Sequence, residues 1–199
     1  MDLIAQGAEA KLYRTKEGIV KDRIKKDYRI KQIDDSLRKF RTKREAKVLE
    51  KLKEMNFPAP RLIKTDEKEK IVMEDIKGHK VRDILEKSDY KKLCFEIGEK
   101  VGKMHSKGIM HGDLTTSNMI LNKEVYFIDF GLSFFSDRIE DNAVDLHLFR
   151  QALASKHYTI ADACFKEACK GYKKTFADKD KVFKRLEIVE GRGRNKGKS

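Results

Sequence analysis

The chain has 199 residues, enough for one compact unit or for two small lobes sharing a cleft, and enough to bury a core without metal or disulfide staples. Its 46 lysines and arginines outnumber 33 aspartates and glutamates, a net charge of +13; this fits a thermophile-type ion-paired surface or contact with a polyanion such as RNA, and its one-signed excess favours the polyanion. Cys94, Cys164 and Cys169 form no C-x-x-C pair, the start MDLIAQGAEA has no basic and apolar leader, and no apolar run reaches membrane-span length, which argues against a disulfide framework, a zinc site, a secretory signal or a membrane partner and for a cytoplasmic protein with reduced thiols.

In chain order, Leu3-Ile4-Ala5 and Lys11-Leu12-Tyr13 read as strands around the small-residue turn Gln6-Gly7-Ala8-Glu9-Ala10, and Ile19-Val20-Lys21 as a third. Apolar residues at three- and four-residue spacing predict a long helix over 34–55, capped by Asp34 or Asp35 and ended by Asn56-Phe57-Pro58. Arg61-Leu62-Ile63 and Ile71-Val72-Met73-Glu74 form a hairpin, and Gly78 marks a lobe boundary. A short helix near Val81–Leu85 precedes a long one capped by Ser88 and stopped at Gly108. Two short strands, Met119–Leu121 and Val125–Ile128, interrupt a helical remainder. The fold class is α+β. It is a minimal bilobal protein-kinase-like arrangement with a β-rich N-lobe over 1–76, a reduced and mostly helical C-lobe over 77–190, and a basic glycine-rich tail over 191–199 that is disordered by itself.

The chemistry concentrates in His111-Gly112-Asp113-Leu114-Thr115-Thr116-Ser117-Asn118. An Asp followed five residues later by an Asn, just before an apolar strand, is the spacing of a phosphotransfer catalytic loop. There a carboxylate accepts the proton of the attacking hydroxyl and an amide oxygen holds Mg2+. Asp129-Phe130-Gly131 follows at the end of the next apolar strand, which makes Asp129 the second metal candidate beside Asn118. Upstream, Lys21 ends Ile19-Val20-Lys21, where a lysine for the ATP phosphates belongs, with Lys25 and Lys26 as competitors. Glu45 lies on the inward side of the long helix, and a buried carboxylate needs a cation; it is either the partner of Lys21 or an i,i+4 partner of Arg41. Gln6, Gly7, Ala8, Glu9 and Ala10 can bring backbone N–H groups to phosphate. Met73, Glu74 and Ile76 fall where an adenine would pair with backbone. Asp145 either braces the catalytic loop or is a solvated helix carboxylate, and His111 is a loop brace. Arg192, Arg194, Lys196 and Lys198 are candidates for phosphate contacts with RNA.

Several stretches together resemble the small kinase/ATPase of the KEOPS complex, the PRPK-type atypical serine/threonine kinases. They are Q-G-A-E-A at 6–10, K-x-R at 21–23, Y-R at 28–29, R-T-x-R-E-A at 41–46, H-G-D-L-T-T-S-N at 111–118, D-F-G-L at 129–132, A-V-D-L at 143–146 and G-R-G-R at 191–194. The resemblance implies an autophosphorylating, Mg2+- and ATP-dependent enzyme in the machinery that makes threonylcarbamoyladenosine in tRNA. It would work beside a larger metalloprotein subunit, in some archaea fused to it, and beside other KEOPS subunits. Three departures from ordinary protein kinases accompany it. Gly112 precedes Asp113 in place of arginine, Thr115 stands where a γ-phosphate lysine is usual, and the short stretch from Gly131 to Asp145 leaves no activation segment. Two rival readings are a small-molecule kinase, which the short basic chain disfavours, and an RNA-binding scaffold with a vestigial nucleotide site.

Overall fold

The computed structural model describes residues 1–194. The chain divides into two compact units, Met1–Lys77 with Tyr126–Leu132, and Gly78–Val125 with the residues from Ser133 onward. A β-rich N-terminal unit and a helical C-terminal one make the α+β class expected from the sequence. The return of Tyr126–Leu132 to the first unit, bringing Asp129 with it, is not legible in a linear pattern of elements.

The first unit is built on an antiparallel sheet in the order β1-β2-β3-β5-β4, where β1 is Asp2–Gln6, β2 Ala10–Arg14, β3 Ile19–Arg23, β4 Leu62–Thr65 and β5 Lys70–Met73. Central β3 alternates buried and half-buried residues, so Ile19, Lys21 and Arg23 share the covered face. Two cations thus occupy positions that an ordinary strand would give to valine or leucine. Helix α1, Lys31–Glu54, buries Val48, Leu49 and Leu52 beside Glu45 and Thr42. Phe57 and Phe127 meet with ring centroids 5.5 Å apart, and the Phe127 N–H donates to the Pro58 carbonyl at 2.9 Å.

The ends of α1 differ from expectation at the start and agree at the stop. The helix begins at Lys31 with Ile30 at the N-cap and no side-chain cap. Asp34 lies inside the first turn instead, fully buried, taking Arg38 Nε at 2.8 Å and Arg29 Nη1 at 3.5 Å. A carboxylate there complements the helix dipole as well as the two guanidiniums. At the other end Asn56 adopts φ 52°, and the Asn56 and Phe57 N–H groups donate to the Lys53 and Leu52 carbonyls. That is a Schellman termination, with asparagine in the left-handed position.

The second unit opens with β6, His79–Lys80, helix α2, Val81–Ile84, and a 3-10 turn at Leu85–Lys87. Helix α3, Tyr90–His105, is capped by Asp89, whose side chain accepts the Lys92 N–H. Ser88, the expected cap, bonds back to the Ile84 carbonyl. Beyond α3 come β7, Ile109–Met110, β8, Met119–Leu121, and β10, Phe134–Phe135, while β9, Val125–Phe127, leads the chain back into the first unit after Val125. β6 pairs with β8, and β7 with β10. The helices α4, Ile139–Lys156, α5, Ala161–Thr175, and α6, Lys179–Arg194, complete it. A Cβ on Gly98 would sit 1.9 Å from the Ala168 carbonyl oxygen, and one on Gly171 2.0 Å from that of Phe95, so α3 and α5 meet backbone to backbone. Cys94 and Cys164 are buried free thiols. No helix among the described residues is long and apolar enough to cross a membrane.

Candidate active site

In the first unit Lys21 Nζ lies 2.7 Å from Glu45 Oε1 and 2.7 Å from Asp129 Oδ1. Burial alone would push the Lys21 ammonium down, but the carboxylates of Glu45 and Asp129 outweigh it and hold its pKa above the usual lysine value. The lysine is therefore a fixed cation. Glu45 is 1% exposed, and its second oxygen takes Arg23 Nη2 at 2.5 Å, while Arg23 Nε reaches Thr42 Oγ1 at 3.1 Å. The rival positions are spoken for elsewhere. Lys25 faces Asp27, Lys26 bonds the Ala8 carbonyl, and Arg41 pairs with Glu9 at 2.5 Å rather than with Glu45.

Asp129 has φ 61°, a left-handed conformation that aspartate tolerates better than most residues and that concentrates at functional sites. Gly131 follows from the same geometry: a Cβ there would lie 2.9 Å from Lys21 Nζ and 3.2 Å from Asp129 Oδ1. The turn after β1 is closed by the Gly7 N–H donating to the Ala10 carbonyl at 2.9 Å, and Glu9 is anchored by Arg41 and, at 3.7 Å, by Arg29. A Cβ on Gly7 would meet nothing closer than 3.8 Å, so the fold itself does not demand glycine there. After β5, the buried Met73 precedes Glu74, whose N–H donates to the Arg61 carbonyl at 2.9 Å. That commits the Glu74 amide and leaves its carbonyl, with the backbone of Ile76, as the groups this segment offers a base.

In the second unit Asn118 Nδ2 donates to Asp113 twice, to the backbone oxygen at 3.0 Å and to Oδ2 at 2.8 Å. The amide oxygen is left as the acceptor that a metal needs. The start of this loop is held by Asp145, which takes the His111 N–H at 2.7 Å and the Gly112 N–H at 2.9 Å. Gly112 has φ 78°, so an arginine at this position would be strained. Asp145 is 2% exposed and also bonds His105 Nε2 at 3.1 Å, while His105 Nδ1 meets the Tyr172 hydroxyl at 3.1 Å. Asp145 is thus a loop brace and not a solvated carboxylate. His111 is buried too, and its Nδ1 accepts the Asp113 N–H at 3.3 Å.

A protein-family model described as the RIO domain matches residues 7–146. The chain belongs to the RIO domain family. All five residues just described as Lys21, Glu45, Asp113, Asn118 and Asp129 fall within the RIO match, as does Asp145, whereas α5 and α6 lie beyond it. Among relatives, the KEOPS complex subunit Bud32 of Pyrococcus abyssi is 45% identical over the whole chain and 98% of that protein. The probable bifunctional tRNA threonylcarbamoyladenosine biosynthesis protein of Methanothermobacter thermautotrophicus is 43% identical over 97% of the chain, which spans only 36% of that protein. The Rio2 kinase of Chaetomium thermophilum, solved as an ADP/Mg2+-phosphoaspartate complex, superposes with a TM-score of 0.66 at 14% identity, covering 96% of this chain and 70% of that one.

Outside the RIO match the basic tail needs correction. Gly191–Arg194 is not an unstructured extension but the last turn of α6. Glu140 on α4 takes Arg192 Nη1 at 2.6 Å and Arg185 Nη2 at 3.2 Å. Two arginines seven residues apart share a helix face, and one carboxylate pins both. Arg194 ends α6, and Lys196 and Lys198 lie outside the described residues.

Two buried side chains that support the candidate site residues are missed by sequence reasoning. Arg23 is the second cation on Glu45, and the K-x-R spacing on a strand was its signal, since alternate residues share a face. His105 stands behind Asp145, and nothing in the local sequence marks it.

The brace has a measurable acid signature. Burial by itself would raise the Asp145 carboxyl, but the His105 hydrogen bond and charge, with those of His111, hold it below the usual aspartate value. A depressed folded-state pKa gives stability that is fully present above the unfolded value, about 3.9, and is lost as pH falls through the folded one. Asp145→Asn also turns an NH2 toward one of the two backbone donors, and is expected to lower Tm by about 5 °C near neutral pH. In paired thermal melts, that gap narrows below about pH 4.

Proposed function

We propose that this chain is a Mg2+- and ATP-dependent phosphotransferase or ATPase of the atypical serine/threonine kinase type. Its cellular setting, on this reading, is a cytoplasmic KEOPS-type complex that modifies tRNA with threonylcarbamoyladenosine. The observation that carries the chemistry is the fixed Lys21 cation between Glu45 and Asp129. Relatives named as a KEOPS subunit and as bifunctional threonylcarbamoyladenosine proteins support the setting. The rest of the longer bifunctional proteins suggests a partner subunit that other organisms carry in the same chain.

The donor set suits the ligand. Mg2+ prefers oxygen ligands and is commonly held by one or two side chains plus substrate phosphates. Among the described residues no cluster of three or more His, Cys, Asp or Glu forms a dedicated metal cage. Asp129 and Asn118 are the residues that would hold the ion, through a carboxylate and an amide oxygen. Bound Mg-ATP supplies the γ-phosphoryl group and the charge that offsets its oxygens. Lys21 holds phosphate oxygens, and Glu45 with Arg23 keeps Lys21 from moving. The Asp113 carboxylate, fixed by Asn118 Nδ2, accepts the proton of the attacking hydroxyl or orients a water. α4 begins at Ile139, soon after β10, which leaves a peptide substrate little platform and supports ATP hydrolysis or autophosphorylation over general protein phosphorylation.

The test is phosphate release from Mg-ATP with and without tRNA, comparing wild type with Asp113→Ala. Turnover that requires Mg2+ and is lost in the variant supports the proposal. A wild-type chain that binds no Mg-ATP overturns it, and one that binds without turnover, alone or with partner subunits, favours the scaffold reading. Gly131→Ala is a milder probe. Its methyl group would push against the movable ends of Lys21 and Asp129 rather than against backbone. Turnover is expected to fall roughly 10- to 100-fold with Tm nearly unchanged, as measured by steady-state assay and thermal melt.

A further inference from the structure

The catalytic loop is held at its start by Asp145. A second, separate chain of hydrogen bonds holds its other end. Thr116 opens the 3-10 turn Thr116–Asn118. Its Oγ1 lies 3.1 Å from His157 Nε2, and His157 Nδ1 lies 3.1 Å from Glu86 Oε1. Thr116 and His157 are 2% and 1% exposed. Glu86 is half exposed and, with His157, lines a small cavity of about 290 Å3 together with Arg82, Asp83, Lys87 and Lys156.

A hydroxyl, an imidazole and a carboxylate in line are the parts of a nucleophilic triad. Burial rules that use out, because a hydroxyl at 2% exposure presents no oxygen to a substrate. The chain instead works in the opposite direction, from the surface inward. Glu86 holds Nδ1 of the ring, and the Thr116 hydroxyl is held at Nε2 on the far side of the same ring. Fixing that hydroxyl fixes the first residue of the turn. The turn is closed by the Asn118 N–H donating to the Thr115 carbonyl at 3.0 Å, and it carries the Asn118 amide that clamps Asp113. His157 sits at the C-cap of α4 with its N–H on the Leu153 carbonyl at 2.7 Å, so the ring is borne by a long helix and not by a loose loop.

We propose that Glu86 and His157 are positioning residues that act through Thr116 to set the metal-binding amide of Asn118. This rests on the phosphotransfer reading for the task of Asn118, but its geometry does not. The decisive variant is Thr116→Val, which keeps the shape and removes the hydroxyl. Glu86→Gln weakens the far end of the chain from a solvent-exposed position and leaves the core intact, and Thr116→Ser restores the hydroxyl. Mn2+ in the presence of ATP, followed by electron paramagnetic resonance, reports metal affinity, and amide hydrogen exchange over 111–121 reports the loop directly.

Thr116→Val is expected to weaken Mn2+ binding several-fold and to lower kcat roughly tenfold at unchanged KM for ATP, with faster exchange at Asn118. Glu86→Gln should move the same readouts in the same direction, and Thr116→Ser should return them close to wild type. Loss confined to Tm in Thr116→Val, with Mn2+ affinity, kcat and loop exchange all as in wild type, would overturn the proposal. A wild type without turnover would count against the phosphotransfer reading alone, since loop exchange still decides whether Glu86 and His157 hold the turn.

Discussion

Replacing Asp129 with asparagine is expected to lower Mg-ATP turnover by about a thousandfold while leaving the fold intact. The two halves of this expectation have separate causes. Asparagine tolerates the left-handed backbone that position 129 adopts, at φ 61°, so the change adds no strain. The side chain is 51% exposed, so little packing is disturbed. What disappears is a full negative charge facing Lys21 and available to a divalent ion. Several kcal/mol of transition-state stabilisation depend on such a charge, and each ~1.4 kcal/mol is tenfold in rate. Steady-state phosphate release and a thermal melt measure both halves. Turnover within a few-fold of wild type would remove Asp129 from the metal site, whatever the melt shows.

The largest effect on stability is expected at Glu45. Lys21, Arg23 and Glu45 are all at or below 6% exposure, and Glu45 is the carboxylate that Lys21 and Arg23 share. Glu45→Ala leaves two cations facing one another in a buried space, with only Asp129 to receive Lys21. Breaking a buried pair by removing one partner costs about 3–5 kcal/mol, which for a chain of this size lowers Tm by about 10–15 °C. Turnover at a temperature where the variant is still folded should also fall at least tenfold, because Lys21 loses one of its two anchors. Arg23→Met, which removes a cation and keeps the Lys21–Glu45 pair, is expected to be milder in both respects. A Glu45→Ala protein that melts with wild type would show that the three charges are not as buried in solution as the geometry requires.

The contrast between Glu45 and Arg23 shows what a sequence reveals. Glu45 was legible because an inward-facing carboxylate on a helix raises the question of its partner, and Lys21 was already marked by its strand. Arg23 lies in the K-x-R stretch and still hides, since in a chain with 46 lysines and arginines one more cation on a strand carries no mark of its own. The catalytic loop was legible through the fixed spacing of Asp113 and Asn118. Its supports were not, because His105, Tyr172, His157 and Glu86 come from distant helices and only folding brings them to it. The start of α1 departs from expectation for a local reason. Asp34 has the chemistry of a cap, but arginines at 29 and 38 claimed its carboxylate and the helix started three residues earlier. The basic tail was judged by composition, which cannot foresee that Glu140 receives Arg185 and Arg192.

The enclosed Lys21–Glu45–Arg23 group has a practical consequence for separating the proposed nucleotide turnover from contact with tRNA. Dissolved ions reduce the interaction of exposed charges over a Debye length of about 8 Å at physiological ionic strength, and far less for pairs shut away from water. If the chain binds tRNA through surface cations that release counterions, that affinity falls steeply between 50 and 200 mM salt. The enclosed Lys21–Glu45–Arg23 group should be nearly indifferent to the same change. Ionic strength therefore becomes a dial that turns off the polyanion while the nucleotide chemistry continues, and a nucleotide turnover that survives at high salt without its tRNA stimulation would separate the two in a single titration.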